Sequence, residues 1–288
     1  MRKTGTLFFA LCCCLLLSFI QSVGQAEAKT HYNLLTSCYW LTPGGKLCQQ
    51  SQFRSFLFAS YKGPLIGCKS RSGHIDYSVP NYKPLKRRGR PVVALSFDDG
   101  PSIYTKRYLK ILAREKIRAA FFLVGQQASN SPYLVQQELK QGHMIGNHSW
   151  NHPMLTYRTT RVSQQLLDTQ DTIQKISGFK PCLMRPPYGA WNQSVQTESA
   201  RRGLEIVLWD VDSRDWSKPG TAHIVRNVVS GVKNGSIVLM HDGGGDRSQG
   251  LVALPQIIHI LRQRGFRFIR LDQLLKAKLS HSGGEPVR

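Results

Sequence analysis

A set of polar residues in this chain can do chemistry together, and each closes or follows a short apolar run. Asp98 and Asp99 follow Val92–Phe97, His148 and His152 follow Met144–Gly146, and Arg185 ends Leu183–Arg185. Asp212 and Asp215 follow Ile206–Trp209, and His241 follows Ile237–Met240. Two imidazoles and a carboxylate, from His148, His152 and Asp99, form a ligand set for a divalent cation that leaves a coordination position for water, as hydrolytic zinc sites do. The same donors hold non-haem Fe(II), so ligand type alone leaves an oxygenase open. The spacing of the two histidines predicts that both lie on one face of a helical turn. Taken singly, Asp98-Asp99-Gly100-Pro101 reads as an exposed turn and a histidine pair as structural. Their shared place at the ends of apolar runs carries the signal.

Positioning these residues falls to apolar segments that alternate with amphipathic ones. The predicted strands are Val92–Phe97, Ala120–Val124, Met144–Gly146, Leu183–Arg185, Ile206–Trp209, Ile237–Met240 and Phe266–Arg270. Helices are predicted at Thr105–Lys116, Pro132–Gln141, Thr160–Ser177, Asn192–Arg202, Ala222–Val232 and Leu251–Arg264. Alternation of this length implies a largely parallel sheet covered by helices. In such folds all strand C-termini point to one rim, which would gather the distant polar residues there. An open doubly wound sheet and a closed, short barrel both satisfy the pattern. No glycine-rich phosphate loop follows the first strand, which counts against a nucleotide-binding open sheet.

Ser96-Phe97-Asp98-Asp99-Gly100-Pro101, His148-Ser149-Trp150-Asn151-His152, Arg185-Pro186-Pro187-Tyr188, Asp212-Ser213-Arg214-Asp215-Trp216 and Leu239-Met240-His241 occur in this order. Together they resemble the five signature motifs of the polysaccharide deacetylase family, which shares the NodB homology domain and forms carbohydrate esterase family four. Ser96 stands where threonine is commoner and keeps the hydroxyl. The resemblance spans residues 91–275 and implies an α/β fold, a distorted, short (β/α) barrel of about seven parallel strands. It implies Asp98 as general base and Asp99, His148 and His152 as ligands of a divalent metal. Zinc is the default, with cobalt or another divalent ion able to serve. Arg185 would pair with Asp98, and His241 would be the general acid, held by Asp215. The Tyr188 main-chain N–H would face the oxyanion while its ring lines the groove. Leu239 and Trp216 would shape a pocket for the acetyl methyl. Trp191 is a candidate to stack on a sugar ring, with a place in the core or rim as the alternative. His143, on the strand side of His148, reads as structural.

The activity so implied is hydrolysis of N-acetyl groups on an amino-sugar polymer, peptidoglycan or a chitin-type oligosaccharide. An acetyl xylan O-esterase is a related alternative, and a carbohydrate-binding protein on a disabled barrel is an alternative of another class. An Fe(II) oxygenase would leave His241 and Asp215 without a role.

Arg2 and Lys3 precede the apolar run Leu7–Ile20, and Ala26-Glu27-Ala28 follows. This order predicts a cleaved secretory signal over residues 1–28, with an uncleaved anchor as the alternative. Cys38, Cys48, Cys68 and Cys182 then remain, enough for two disulfides with three pairings open, and no CxxC pair offers a thiolate zinc site. Residues 29–90 form a small cysteine-containing segment of unassigned role, in which Pro43-Gly44-Gly45 predicts a hairpin. It ends in the basic run Lys83, Lys86, Arg87, Arg88 and Arg90, an exposed linker; residues 276–288 read as a tail. With 39 Lys and Arg against 17 Asp and Glu, the formal charge is +22. That excess favours anionic surroundings such as a cell-envelope surface, and with export it tilts the substrate towards peptidoglycan. No nucleic-acid-binding motif is present, and nothing calls for an obligate protein partner.

Overall fold

Residues 39–41, 47–49 and 89–275 are the described part of a computed structural model. Two compact units, Met1–Lys62 and Gly63–Arg288, divide the chain. In the first, β1 (Tyr39–Leu41) and β2 (Leu47–Gln49) pair antiparallel, with Trp40 opposite Cys48. The predicted secretory signal, the predicted basic linker as far as Arg88 and the predicted tail lie outside the described residues. Cys182 is disulfide-bonded.

The second unit is organised by β3 (Val92–Asp98), whose side chains alternate between two apolar layers, as the two-residue period of a strand requires. Val93, Leu95 and Phe97 join a cluster under the helices that includes Tyr108, Leu112, Val238 and Leu254. Ala94 turns the other way, onto Phe122, Met144, Leu183 and Ile237. Ser96 and Asp98 share the parity of Ala94, so the inner face of the sheet becomes polar towards its C-terminal end.

Six more strands extend a parallel path: β4 (Ala120–Leu123), β5 (Met144–Asn147), β6 (Leu183–Met184), β7 (Glu205–Ile206), β8 (Val211–Asp212) and β9 (Ser236–His241). Their order is β7-β6-β5-β4-β3-β9-β8, and β10 (Arg267–Phe268) pairs with the start of β3. Every predicted strand is present, but the run at 206–209 is split. Only Glu205–Ile206 pairs with β6; the carbonyls of Val207 and Leu208 turn to the Arg185 guanidinium, and pairing resumes at β8.

This split curls the sheet. β7 and β8 are the two ends of the path, yet only residues 207–210 join them. Five Cα steps reach about 17 Å at most, whereas the ends of a flat seven-strand path would stand about 29 Å apart. The sheet therefore bends into a half-barrel, which resolves the choice left open above in favour of the curled form.

Helices α1 (Thr105–Arg114), α3 (Pro132–Lys140), α4 (Val162–Ser177), α5 (Gln193–Arg201), α6 (Thr221–Gly231) and α7 (Ser248–Gln263) match the six predicted ones. A short α2 (Gly125–Asn130), sequence GQQASN, was not expected, since it carries no apolar period. His143 is structural: it is buried, and its Nδ1 accepts the Ala119 N–H at 3.0 Å just before β5. Burial, with the nearby Arg118 charge, pushes its pKa down to about 3, so the imidazole is neutral.

Candidate active site

The C-terminal ends of the strands bring the chemically distinctive residues together. Asp98 ends β3 directly opposite His241, the last residue of β9. Arg185 follows β6 and is fully buried. Its guanidinium donates to Asp98 Oδ1 at 2.8 Å, to Ser96 Oγ at 2.9 Å and to the carbonyls of Val207 and Leu208. It also lies over the Phe122 ring, 4.2 Å from the centroid. Ser96 in turn donates to the Val238 carbonyl at 2.8 Å, so the one hydroxyl ties Arg185 to the neighbouring strand.

Asp99, His148 and His152 each offer one donor atom, and these atoms lie within 4.8 Å of one another. Nε2 of His152 stands 3.2 Å from Asp99 Oδ1, and Nε2 of His148 stands 3.4 Å from it. Asp99 Oδ1 is buried without a hydrogen-bond partner, an expensive state for a carboxylate oxygen unless a cation satisfies it. His148 Nδ1 faces the Arg185 carbonyl at 2.6 Å, so that nitrogen carries the proton and Nε2 is free to ligate. Burial raises the Asp99 pKa, but the imidazole of His148 close beside it, with the His241 and His152 charges, outweighs it and holds the carboxyl well below its usual range. Burial lowers the His148 pKa, and the Asp98 and Asp99 carboxylates reverse that to a net rise. For His152 burial and the His148 charge prevail, and its pKa falls. The donor set therefore fits a divalent cation.

The two histidines do not share a helical turn, contrary to the expectation from their spacing. Residues 148–152 form an irregular loop in which Ser149 (φ 65°) and His152 (φ 61°) adopt left-handed backbone. The loop is held from outside and within: Asn147 Oδ1 accepts the Ser149 N–H, Gln165 Oε1 accepts the Trp150 and Asn151 N–H groups, and Ser149 Oγ accepts that of His152. Among the described residues, all non-glycine positive φ angles except that of Lys116 fall on the rim loops, at Asp99, Ser149, His152, Tyr188, Arg214 and Lys218. Left-handed backbone costs about 1–2 kcal/mol per residue, and strain of this kind collects where function fixes the geometry.

Across the rim, Asp215 grips His241 twice. Its Oδ1 lies 2.7 Å from the imidazole Nδ1, and its Oδ2 accepts the His241 main-chain N–H at 2.9 Å. Burial depresses the His241 pKa, but the Asp215 hydrogen bond and charge, with Asp98 and Asp99 behind them, produce a net rise. Leu239 shares the inward parity of His241 and is buried one layer beneath it. Tyr188 and Trp216 stay 63% and 51% exposed, available to a ligand, and the Tyr188 ring stands 4.7 Å from that of His152. Trp191 packs against the cluster of Leu155, Leu166, Val195 and Ile206.

Sequence reasoning missed Asp242. It is fully buried after His241; its N–H donates to the Asp98 carbonyl, and the Ser102 and Thr105 hydroxyls donate to its carbonyl and carboxylate. Burial, opposed by the Thr105 hydrogen bond and reinforced by the Asp99 and Asp98 charges, pushes its pKa up to about 7. Asn147, Gln165 and Arg247 were missed too. All four act largely through main-chain atoms, which no residue spacing advertises.

Residues 86–207 match the polysaccharide deacetylase family. The chain is 39% identical over 211 residues to a peptidoglycan-N-acetylglucosamine deacetylase of Bacillus cereus, covering 72% of this chain and 95% of that protein. It is 38% identical over 203 residues to a chitooligosaccharide deacetylase of Sinorhizobium fredii, covering 66% and 94%. Among solved structures, the peptidoglycan deacetylase PdaC of Bacillus subtilis superposes with a TM-score of 0.61 at 34% identity, covering 71% of this chain and 96% of the other.

Proposed function

The chain belongs to the polysaccharide deacetylase family, and from that premise we propose that it is a secreted, metal-dependent enzyme hydrolysing N-acetyl groups of an amino-sugar polymer. The observation that carries this reading is the trio of Asp99, His148 and His152 set between the Arg185–Asp98 and Asp215–His241 pairs. A divalent cation held by the trio supplies a Lewis acid for the acetyl carbonyl and lowers the pKa of water from about 15.7 towards about 7. Zinc is the default for these donors, and cobalt or another divalent ion suits them as well.

Asp98, aimed by Arg185, takes a proton from the attacking water. As the new carbon–oxygen bond forms, the Tyr188 main-chain N–H donates to the developing oxyanion. The carbon–nitrogen bond then breaks, and expelling an amine anion is prohibitive. His241 therefore delivers a proton to the departing nitrogen, and the products are acetate and the free amino sugar. Asp215 keeps the imidazole oriented and favours its protonated form. Leu239 and Trp216 enclose the acetyl methyl.

The substrate we favour is peptidoglycan N-acetylglucosamine, with chitin-type oligosaccharide second. Support comes from the secretory pattern of residues 1–28, the +22 charge, which suits an anionic wall, and the names of the relatives. The test is acetate release from peptidoglycan, chitin oligomers and acetylated xylan, each with and without a chelator. Chelator-sensitive release from the N-acetylated polymers, peptidoglycan foremost, is the expected result. Release from xylan alone would make the enzyme an O-esterase, and none from any polymer would favour a carbohydrate-binding protein.

A further inference from the structure

We infer that Arg247 is a positioning residue for the cation site: it clamps the Gly243–Gly244 loop behind Asp99 and so sets how tightly the cation is held. The inference rests on the functional reading above, which makes Asp99 a ligand.

Arg247 is 4% exposed, just ahead of α7. A buried guanidinium gives up its hydration, a loss that only good pairing offsets. Among the described residues Arg247 has no carboxylate partner. Its donors go to main-chain carbonyls: Nε to Gly243 at 2.5 Å, Nη2 to Gly244 at 2.9 Å and Nη1 to Asp246 at 3.5 Å. Placing a cation at the N-terminal end of a helix adds an unfavourable dipole interaction. The arrangement is costly, and what it fixes is the path of the loop.

That loop lies directly against Asp99. A Cβ on Gly243 would collide with the Asp99 carbonyl oxygen, and one on Gly244 (φ +71°) would collide with Asp99 Oδ2. Only glycine permits this approach. With Gly244 behind Oδ2, the carboxylate is held so that Oδ1 faces His148 and His152. Asp242 fastens the same two loops from the other side, through its N–H to the Asp98 carbonyl and through its carboxylate packed on Gly100. Loss of the Arg247 fork would free the Gly243–Gly244 backbone and let Asp99 rotate out of register with the imidazoles.

The test is cation affinity, measured by competition with a chromophoric chelator, and the visible spectrum of the Co²⁺-loaded protein, on wild type, Arg247→Met, Arg247→Lys and Gly244→Ala. Outer-shell partners of metal ligands typically change affinity by about 10–100-fold. Arg247→Met should weaken binding by that factor and alter the Co²⁺ bands, while Arg247→Lys recovers part of both. Gly244→Ala, which crowds Asp99 Oδ2 while keeping the Arg247 side chain, should show the same two effects and serves if Arg247→Met does not fold. Wild-type affinity and spectrum in the folded variants, with only a lower melting temperature, would reduce Arg247 to a structural residue and overturn the inference. If wild type itself bound no cation, the functional reading would fall, and the inference with it.

Discussion

Replacing His241 with alanine is expected to lower kcat for acetate release by about 10²–10⁴-fold, the usual worth of one general acid, while the cation content stays at the wild-type level. Asp215 occupies both the Nδ1 and the main-chain N–H of His241, which leaves Nε2 as the atom able to reach a leaving group. The same geometry predicts a pH effect. A general acid works in its protonated form, so kcat falls as pH rises through its pKa. The Asp215 hydrogen bond is the main force opposing the burial that would lower this pKa. In Asp215→Asn the falling limb should therefore move to lower pH, and a pH profile of kcat reads the shift. Loss of the cation in His241→Ala would instead make His241 a ligand and undo the assignment.

Arg185→Met is expected to cost about 3–5 kcal/mol of stability, because removing one partner of a buried pair strands the other charge. Arg185 has no solvent exposure, and Asp98 has almost none. Its guanidinium also satisfies the Val207 and Leu208 carbonyls, in the short segment that joins the two ends of the sheet. The substitution thus loosens the closure of the half-barrel as well as the base. Urea unfolding of wild type, Arg185→Met, Asp98→Asn and the double variant measures this. Asp98→Asn with Arg185→Met should be more stable than Arg185→Met alone, since the stranded carboxylate is gone. Arg185→Lys keeps the charge but not the planar fork, and should recover only part of the loss.

These residues could be found in the sequence because each is a polar side chain at the end of an apolar run. A parallel sheet places all such ends on one rim. The strands were legible for the same reason: Val92–Asp98 and Ser236–His241 are buried on both faces and read as continuous apolar segments. The break at 207–210 was not legible. Leu208 and Trp209 look like strand residues, and their departure from the sheet depends on Arg185, which lies far away in sequence. The loop from His148 to His152 was misread because left-handed backbone at Ser149 and His152 carries no glycine to announce it. The supports Asn147, Gln165, Asp242 and Arg247 grip main-chain atoms, so their partners have no identity a sequence could show.

That Asp99, His148 and His152 hold the one cation on which catalysis depends is the core of the proposed function. Its most direct test is a titration of chelator-stripped protein with Zn²⁺, following acetate release from an N-acetylated oligosaccharide at each addition. Activity should rise from near zero to a plateau at one equivalent per chain, and the same titration of Asp99→Ala should stay flat at that ratio. Full acetate release by the stripped protein, or a wild-type titration curve from Asp99→Ala, would contradict the account.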